Sequence, residues 1–72
     1  MTIHWCGTGL SSIPGLRRLI EGGQSVVVWN RTVAKAAEAV GDIARDIRPY
    51  TLEALTAALQ PNDVAISMLP AD

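Results

Sequence analysis

One cysteine, one histidine, no phenylalanine and a net charge of only −1 mark this 72-residue chain, and each shortage closes a route. With Cys6 alone, neither an intrachain disulfide nor a cysteine-based metal site can form. Acids and bases are interspersed and nearly balanced, which argues against nucleic-acid binding through charge alone. No apolar run approaches the roughly 18 residues of a membrane span, and no signal peptide opens the chain. The expectation is a reduced, soluble, cytoplasmic protein without metal, membrane or nucleic acid among its partners. What is present is apolar: 49% of the residues, mostly Val, Ile, Leu and Ala, which excludes intrinsic disorder. A chain this short buries only about 60% of its unfolded surface, enough for one small and marginal core.

Short β-rich runs alternate with helical runs, the pattern of βαβ units and a parallel sheet. A first strand is expected over Thr2–Cys6, followed at once by Gly7-Thr8-Gly9-Leu10-Ser11. A helix follows from Ser12 to Glu21, with Ile13, Leu16, Leu19 and Ile20 on one face. Pro14 fits its first turn, where a missing N–H costs nothing, and Gly22-Gly23 stops it. The second strand, Ser25–Asn30, is apolar without alternation at Val26-Val27-Val28-Trp29, as for a strand covered on both faces. Thr32 is the expected cap of a second helix that ends at Val40 before Gly41, with Ala36, Ala37 and Val40 as its buried stripe. A short third strand falls at Ile47–Tyr50, and Pro49 assigns it to an edge. Thr51 caps a third helix through Leu59, with Leu52, Leu55 and Leu59 inward. After Pro61-Asn62-Asp63 a fourth strand runs over Val64–Met68. Right-handed crossovers give strand order 3-2-1-4. The expected fold is therefore α/β, a Rossmann-like βαβαβαβ half of a doubly wound parallel sheet, cut off after strand four. The uncovered fourth strand is an exposed apolar edge, and a homodimer is one way to cover it.

Three segments carry chemistry. Gly7-Thr8-Gly9 stands directly between a strand and a helix. There Gly7 permits a tight turn, and Gly9 lets the backbone approach a pyrophosphate held at the helix N-terminus. Ser11 and Ser12 add hydroxyl donors, although Ser12 stands where the dinucleotide fingerprint has Gly or Ala. A Gly-x-Gly alone marks only a tight turn; its placement in a βαβ unit is what points to a dinucleotide. At the close of strand two the fingerprint expects an acid for the adenosine 2′-hydroxyl. The residues there are Asn30-Arg31-Thr32. A guanidinium suits a 2′-phosphate, so NADP(H) is expected over NAD(H); otherwise Arg31 is an ordinary loop residue and Thr32 only a cap. The third segment, Ser67-Met68-Leu69-Pro70, ends strand four beside the switch point, where it either lines the cofactor or merely finishes a buried strand.

Other residues read more plainly. His4 lies inside strand one, is expected to have no second histidine or carboxylate nearby, and reads as structural. Cys6 is a small buried thiol. Trp29 packs either beside an adenine or under the second helix. Arg17 and Arg18 form a solvated helix face. No carboxylate pair, nucleophile–base set or metal cluster is visible, so no catalytic residue is assigned.

Gly7-Thr8-Gly9 with Pro14 at its spacing, Val28-Trp29-Asn30-Arg31-Thr32 with Lys35-Ala36, and Asn62-Asp63-Val64-Ala65-Ile66-Ser67-Met68-Leu69-Pro70 together resemble the saccharopine dehydrogenase (saccharopine reductase) family over nearly the whole chain. The resemblance implies an NADP-linked oxidoreductase acting on the CH–NH group of an amino-acid conjugate through an imine. It implies that Gly7, Gly9, Leu10 and Ser11 hold the pyrophosphate, with Thr8 in the same loop. Arg31 and Thr32, next to Asn30, would hold the 2′-phosphate, and Leu69 and Pro70 the nicotinamide side. Residues 1–72 would be the N-terminal part of the NAD(P)-binding domain, inactive alone, with the domain for a small amino-acid-derived substrate absent from this chain. The β-hydroxyacid dehydrogenases are the alternative, sharing Val-Trp-Asn-Arg-Thr and Ser-Met-Leu-Pro. Their loop, however, typically reads Gly-Leu-Gly-x-Met-Gly, and their stretch between strands two and four is usually shorter. A non-catalytic nucleotide-sensing Rossmann module is the other class.

Overall fold

The computed structural model describes residues 1–7 and 13–67. Strands and helices alternate as β1 (Ile3–Cys6), α1 (Ile13–Glu21), β2 (Val26–Asn30), α2 (Val33–Val40), β3 (Ile47–Pro49), α3 (Leu52–Ala58) and β4 (Val64–Ser67). The strands form one four-stranded sheet in the order β3-β2-β1-β4, with every pairing parallel. This is the Rossmann-like half of a doubly wound α/β fold, as right-handed crossovers require. Pro49 does end the edge strand β3. Among the described residues no helix is long and apolar enough to cross a membrane.

All four residues of β1 are buried, as are Val27, Val28 and Trp29 of β2, because both sheet faces are covered around the two central strands. Alternation divides them between two clusters. Trp5 and Val28 pack with Leu16 of α1 and with Ala36 and Val40 of α2. Cys6, Val27 and Trp29 pack with Leu55 of α3 on the opposite face. Trp29 therefore lies under α3 and not under the second helix, the place its sequence position suggested.

Local signals set the helix ends. α1 closes in a Schellman arrangement: Gly23 adopts φ 87°, its N–H donates to the Ile20 carbonyl, and Gln24 N–H donates to Leu19. Thr51 caps α3 by accepting the Ala54 N–H at 3.0 Å. Gly41 follows α2 as expected but keeps right-handed angles, φ −61° and ψ −21°.

Two expected core residues lie outside the core. Ala37 is exposed, because the stripe of α2 runs through Ala36, Ala39 and Val40 toward Ile43. Leu52 is 69% exposed. It occupies the first turn of α3, where Glu53 and Ala54 are exposed as well, and the helix meets the sheet only from Leu55 onward, through Ala58 and Leu59.

Leu16, with no exposed surface, joins α1 to the sheet. Leu16→Ala is expected to cost about 2–5 kcal/mol, the range for a buried leucine that leaves a cavity. A domain of this size holds only roughly 5–10 kcal/mol in total. Urea unfolding followed by circular dichroism should show the midpoint fall sharply or the transition disappear.

Candidate functional site

The carboxyl ends of β1 and β2 bring the two described halves of the candidate site together. Cys6 pairs with Trp29 in register, and the Gly7 N–H donates to the Trp29 carbonyl at 2.7 Å. Gly7 thus lies beside Asn30. Its φ of 97° is a left-handed value that a Cβ would strain, so glycine is needed for the chain to turn off β1 at this point. On β2, the Asn30 carboxamide donates to the Thr32 carbonyl at 2.9 Å, and the Asn30 carbonyl accepts the Tyr50 N–H at 2.9 Å. These bonds fix the turn that presents Arg31 and Thr32, both exposed. Thr32 occupies the N-cap position of α2, yet its hydroxyl makes no cap bond; its carbonyl accepts the Lys35 and Ala36 N–H groups. The first turn of α2 carries no acid.

Of the residues the sequence singles out, Gly7, Asn30, Arg31 and Thr32 are brought to one end of the sheet. Thr8, Gly9, Leu10, Ser11, Leu69 and Pro70 lie outside the described residues, as do Ser12 and Met68. Because α1 and α2 cover one face and α3 the other, the connections part on either side of β1. A crevice is expected beyond the carboxyl ends of β1 and β4, the usual ligand position in such sheets. A left-handed glycine, an exposed arginine residue and a helix start without an acid suit an anion there.

The core holds a polar chain that the sequence did not reveal. The Trp29 indole N–H donates to His4 Nδ1 at 3.1 Å, and His4 Nε2 lies 3.0 Å from an Asp63 carboxylate oxygen. An indole N–H can only donate, so His4 Nδ1 accepts and the ring proton sits on Nε2, facing Asp63. Asp63 also accepts the Thr2 N–H at 2.9 Å and the Gln60 N–H at 3.0 Å. His4 is 2% exposed. Its expected structural role stands, but the expectation that no carboxylate lies near it does not. The two partners are 59 residues apart in sequence and meet only because β1 and β4 pair in parallel. The available signal was the histidine itself, since a ring inside a buried strand needs partners for both nitrogens.

Other single residues are also placed. Burial pushes the Cys6 thiol pKa up, away from the reactive thiolate. Arg17 is not simply solvated: it forms a paired contact with Asp42, both bonds at 2.9 Å, and donates to the Ala39 carbonyl at 3.1 Å, tying α1 to the end of α2. The Arg48 guanidinium sits 5.4 Å from the Trp29 ring centre and holds Asp46 with bonds of 2.9 and 2.7 Å. Among the described residues no three His, Cys, Asp or Glu side chains are grouped to hold a metal ion.

A cavity of about 550 Å³ opens at the other end of the sheet, between the end of α1, the start of β2 and the segment before β3. It is the wrong place for a phosphate. Glu21 and Asp46 line it, and the carbonyl end of α1 points toward it. Among the described residues Arg45 is the one cation in its lining. Electrostatics and topology therefore favour the carboxyl end of the strands over this cavity at the amino end.

The bond from His4, helped by the Thr2 and Gln60 N–H groups, holds the Asp63 carboxyl well below its ordinary value, at about 2. A carboxylate lowered in the folded state adds stability above its ordinary pKa of 3.8, and that stability is lost as pH falls through 3.8 to about 2. Asp42 and Asp46 are shifted down by Arg17 and Arg48 in the same sense. Urea midpoints should therefore fall across this window in the native chain, and Asp63→Asn should show a lower midpoint at neutral pH and a shallower fall.

No family model, curated protein or solved structure matches the chain.

Proposed function

We propose that this chain is the NADP(H)-binding portion of an oxidoreductase resembling the saccharopine dehydrogenases. The observation that carries the cofactor part of this reading is the meeting of Gly7, at φ 97°, with the acid-free Asn30-Arg31-Thr32 turn at the carboxyl end of a parallel sheet. In this reading Gly7 turns the chain so that Thr8, Gly9, Leu10 and Ser11 offer backbone N–H groups to the pyrophosphate. Arg31 holds the 2′-phosphate by charge-assisted hydrogen bonds. The Asn30 carboxamide keeps the Arg31–Thr32 turn in shape for that contact. Leu69 and Pro70 border the nicotinamide side.

The bound cofactor would supply the hydride, and the protein placement and exclusion of water. The substrate class, the CH–NH group of an amino-acid conjugate, rests on the sequence resemblance alone, as does a cytoplasmic setting. No residue of the chain is assigned a proton or a covalent step.

Titration with NADPH and NADH, followed through Trp5 and Trp29 fluorescence, tests the reading. Trp29 is next to Asn30 and fully buried, so closure of the turn on a ligand should change its emission. NADPH should bind more tightly than NADH. Arg31→Ala should weaken NADPH by about 10- to 100-fold, the range for a hydrogen bond to a charged group, and leave NADH nearly unchanged. Equal losses for both cofactors would refute the 2′-phosphate assignment, and a folded chain that binds neither would refute the dinucleotide loop.

A further inference from the structure

The buried His4 ring has both nitrogens committed, and only one commitment survives a second proton. In the neutral ring Nδ1 accepts the Trp29 indole N–H at 3.1 Å, and Nε2–H faces Asp63 at 3.0 Å. An imidazolium carries an N–H at both positions and accepts nothing. Its bond to the Asp63 carboxylate is kept and becomes charge-assisted at both ends. At the Trp29 end two donors confront each other, and the indole has to move away. We propose that His4 is a proton-operated switch: a second proton on its ring releases the Trp29 indole and shifts the Gly7–Trp29–Asn30 junction at the carboxyl end of the sheet.

Trp29 is where the two described halves of the candidate site are joined. Its carbonyl accepts the Gly7 N–H at 2.7 Å, and the next residue, Asn30, holds the turn at Arg31 and Thr32. Its ring is fully buried and closely packed, so the indole cannot turn without displacing its neighbours or its own backbone. This coupling depends only on the fold, whichever anion the turn receives.

The surroundings of the ring leave the response to His4 between about pH 5 and 8, the range of histidine titration. Asp63, held at about 2, stays ionised there. From β3, Arg48 stands over Trp29 and is tied to Asp46, each stabilising the charge of the other. α3 meets this face through Leu55, Ala58 and Leu59, and the neighbour of His4 on β4 is Ala65, none of them ionisable. Cys6 and Tyr50 are the other ionisable side chains of the face, and burial moves the Cys6 thiol further above the range.

NMR of the labelled 72-residue chain from about pH 8 to 5 reads the switch. His4 is the only histidine, so its ring signals report proton uptake directly. The Trp29 indole N–H and the amides of Gly7 and Asn30 should shift with the same midpoint as the ring. The Trp5 indole is the internal control: it is buried on the opposite face, its N–H has no partner among the described residues, and it should stay still. His4→Gln retains an acceptor and a donor but takes up no proton, and should abolish the responses at Trp29, Gly7 and Asn30 together. Trp29→Phe removes the indole donor, so the ring should still titrate while the responses at Gly7 and Asn30 fall several-fold. If either variant fails to fold, the two indoles of the native chain decide. A Trp29 indole that stays still while His4 titrates, or a ring that takes up no proton before the chain unfolds, would overturn the inference. So would responses at Gly7 and Asn30 that persist undiminished in either folded variant.

Discussion

The Trp29–His4–Asp63 chain of hydrogen bonds joins three consecutive strands of the sheet through side chains alone. Trp29 belongs to β2, His4 to β1, and Asp63 stands at the start of β4. Ladder bonds would hold the strands in several registers; this chain selects one, because an indole donor, a ring acceptor and a carboxylate must coincide. A one-residue slip would carry His4 to the opposite face, away from both partners, and leave buried polar atoms unsatisfied. The same carboxylate gathers the N–H groups of Thr2 and Gln60, so the start of β4 is pinned to the start of β1. With the amino ends fixed in this way, the carboxyl ends of β1 and β2 are level, and Gly7 arrives beside Asn30.

The rest of the core elaborates that frame. The Arg48 guanidinium lies over the Trp29 ring, 5.4 Å from its centre, extending the line of polar and aromatic contacts to β3. Such a contact contributes on the order of 0.5–1 kcal/mol at an exposed site. On the opposite face packing is apolar, with Leu16, Val28 and Val40 fully buried around Trp5. The bond from Arg17 to Asp42 closes the gap between α1 and the end of α2. One face of the sheet is thus held by apolar packing, while the other depends on a histidine placed between an indole and a carboxylate.

Strand order was legible because its signals are local and one-directional: Pro49 demands an edge, Gly22-Gly23 ends a helix, and crossovers are right-handed. Ala36, Val40 and Leu55 were legible as core for the same reason, since helical spacing decides them within one turn or two. Leu52 and Ala37 were not, because spacing cannot tell where a short helix begins to meet the sheet or which flank of a weakly amphipathic helix faces it. The side of Trp29 was unreadable because Val26-Val27-Val28-Trp29 is apolar on both faces, which leaves no polar alternation to mark which helix each residue meets. The His4–Asp63 pair was hidden by distance along the chain. For the candidate site, the sequence located the Gly7 turn and the Asn30-Arg31-Thr32 turn, and the parallel register of β1 and β2 accounts for their meeting. The hydroxyl of Thr32 was misread: Thr32 holds the N-cap position of α2 without a side-chain cap bond, whereas Thr51, on an equally extended backbone, caps α3 through its hydroxyl.

We propose that the ligand end of this molecule is the carboxyl end of its strands and not the cavity at their amino ends. Amide NMR of the labelled chain during addition of NADP⁺ tests this directly. Shift changes are expected at Gly7 and at Asn30, Arg31 and Thr32, with Gly23, Gln24 and Asp46 unmoved. Changes confined to Gly23, Gln24 and Asp46 would contradict the account, because they would place the anion against the carboxylates and the carbonyl end of α1.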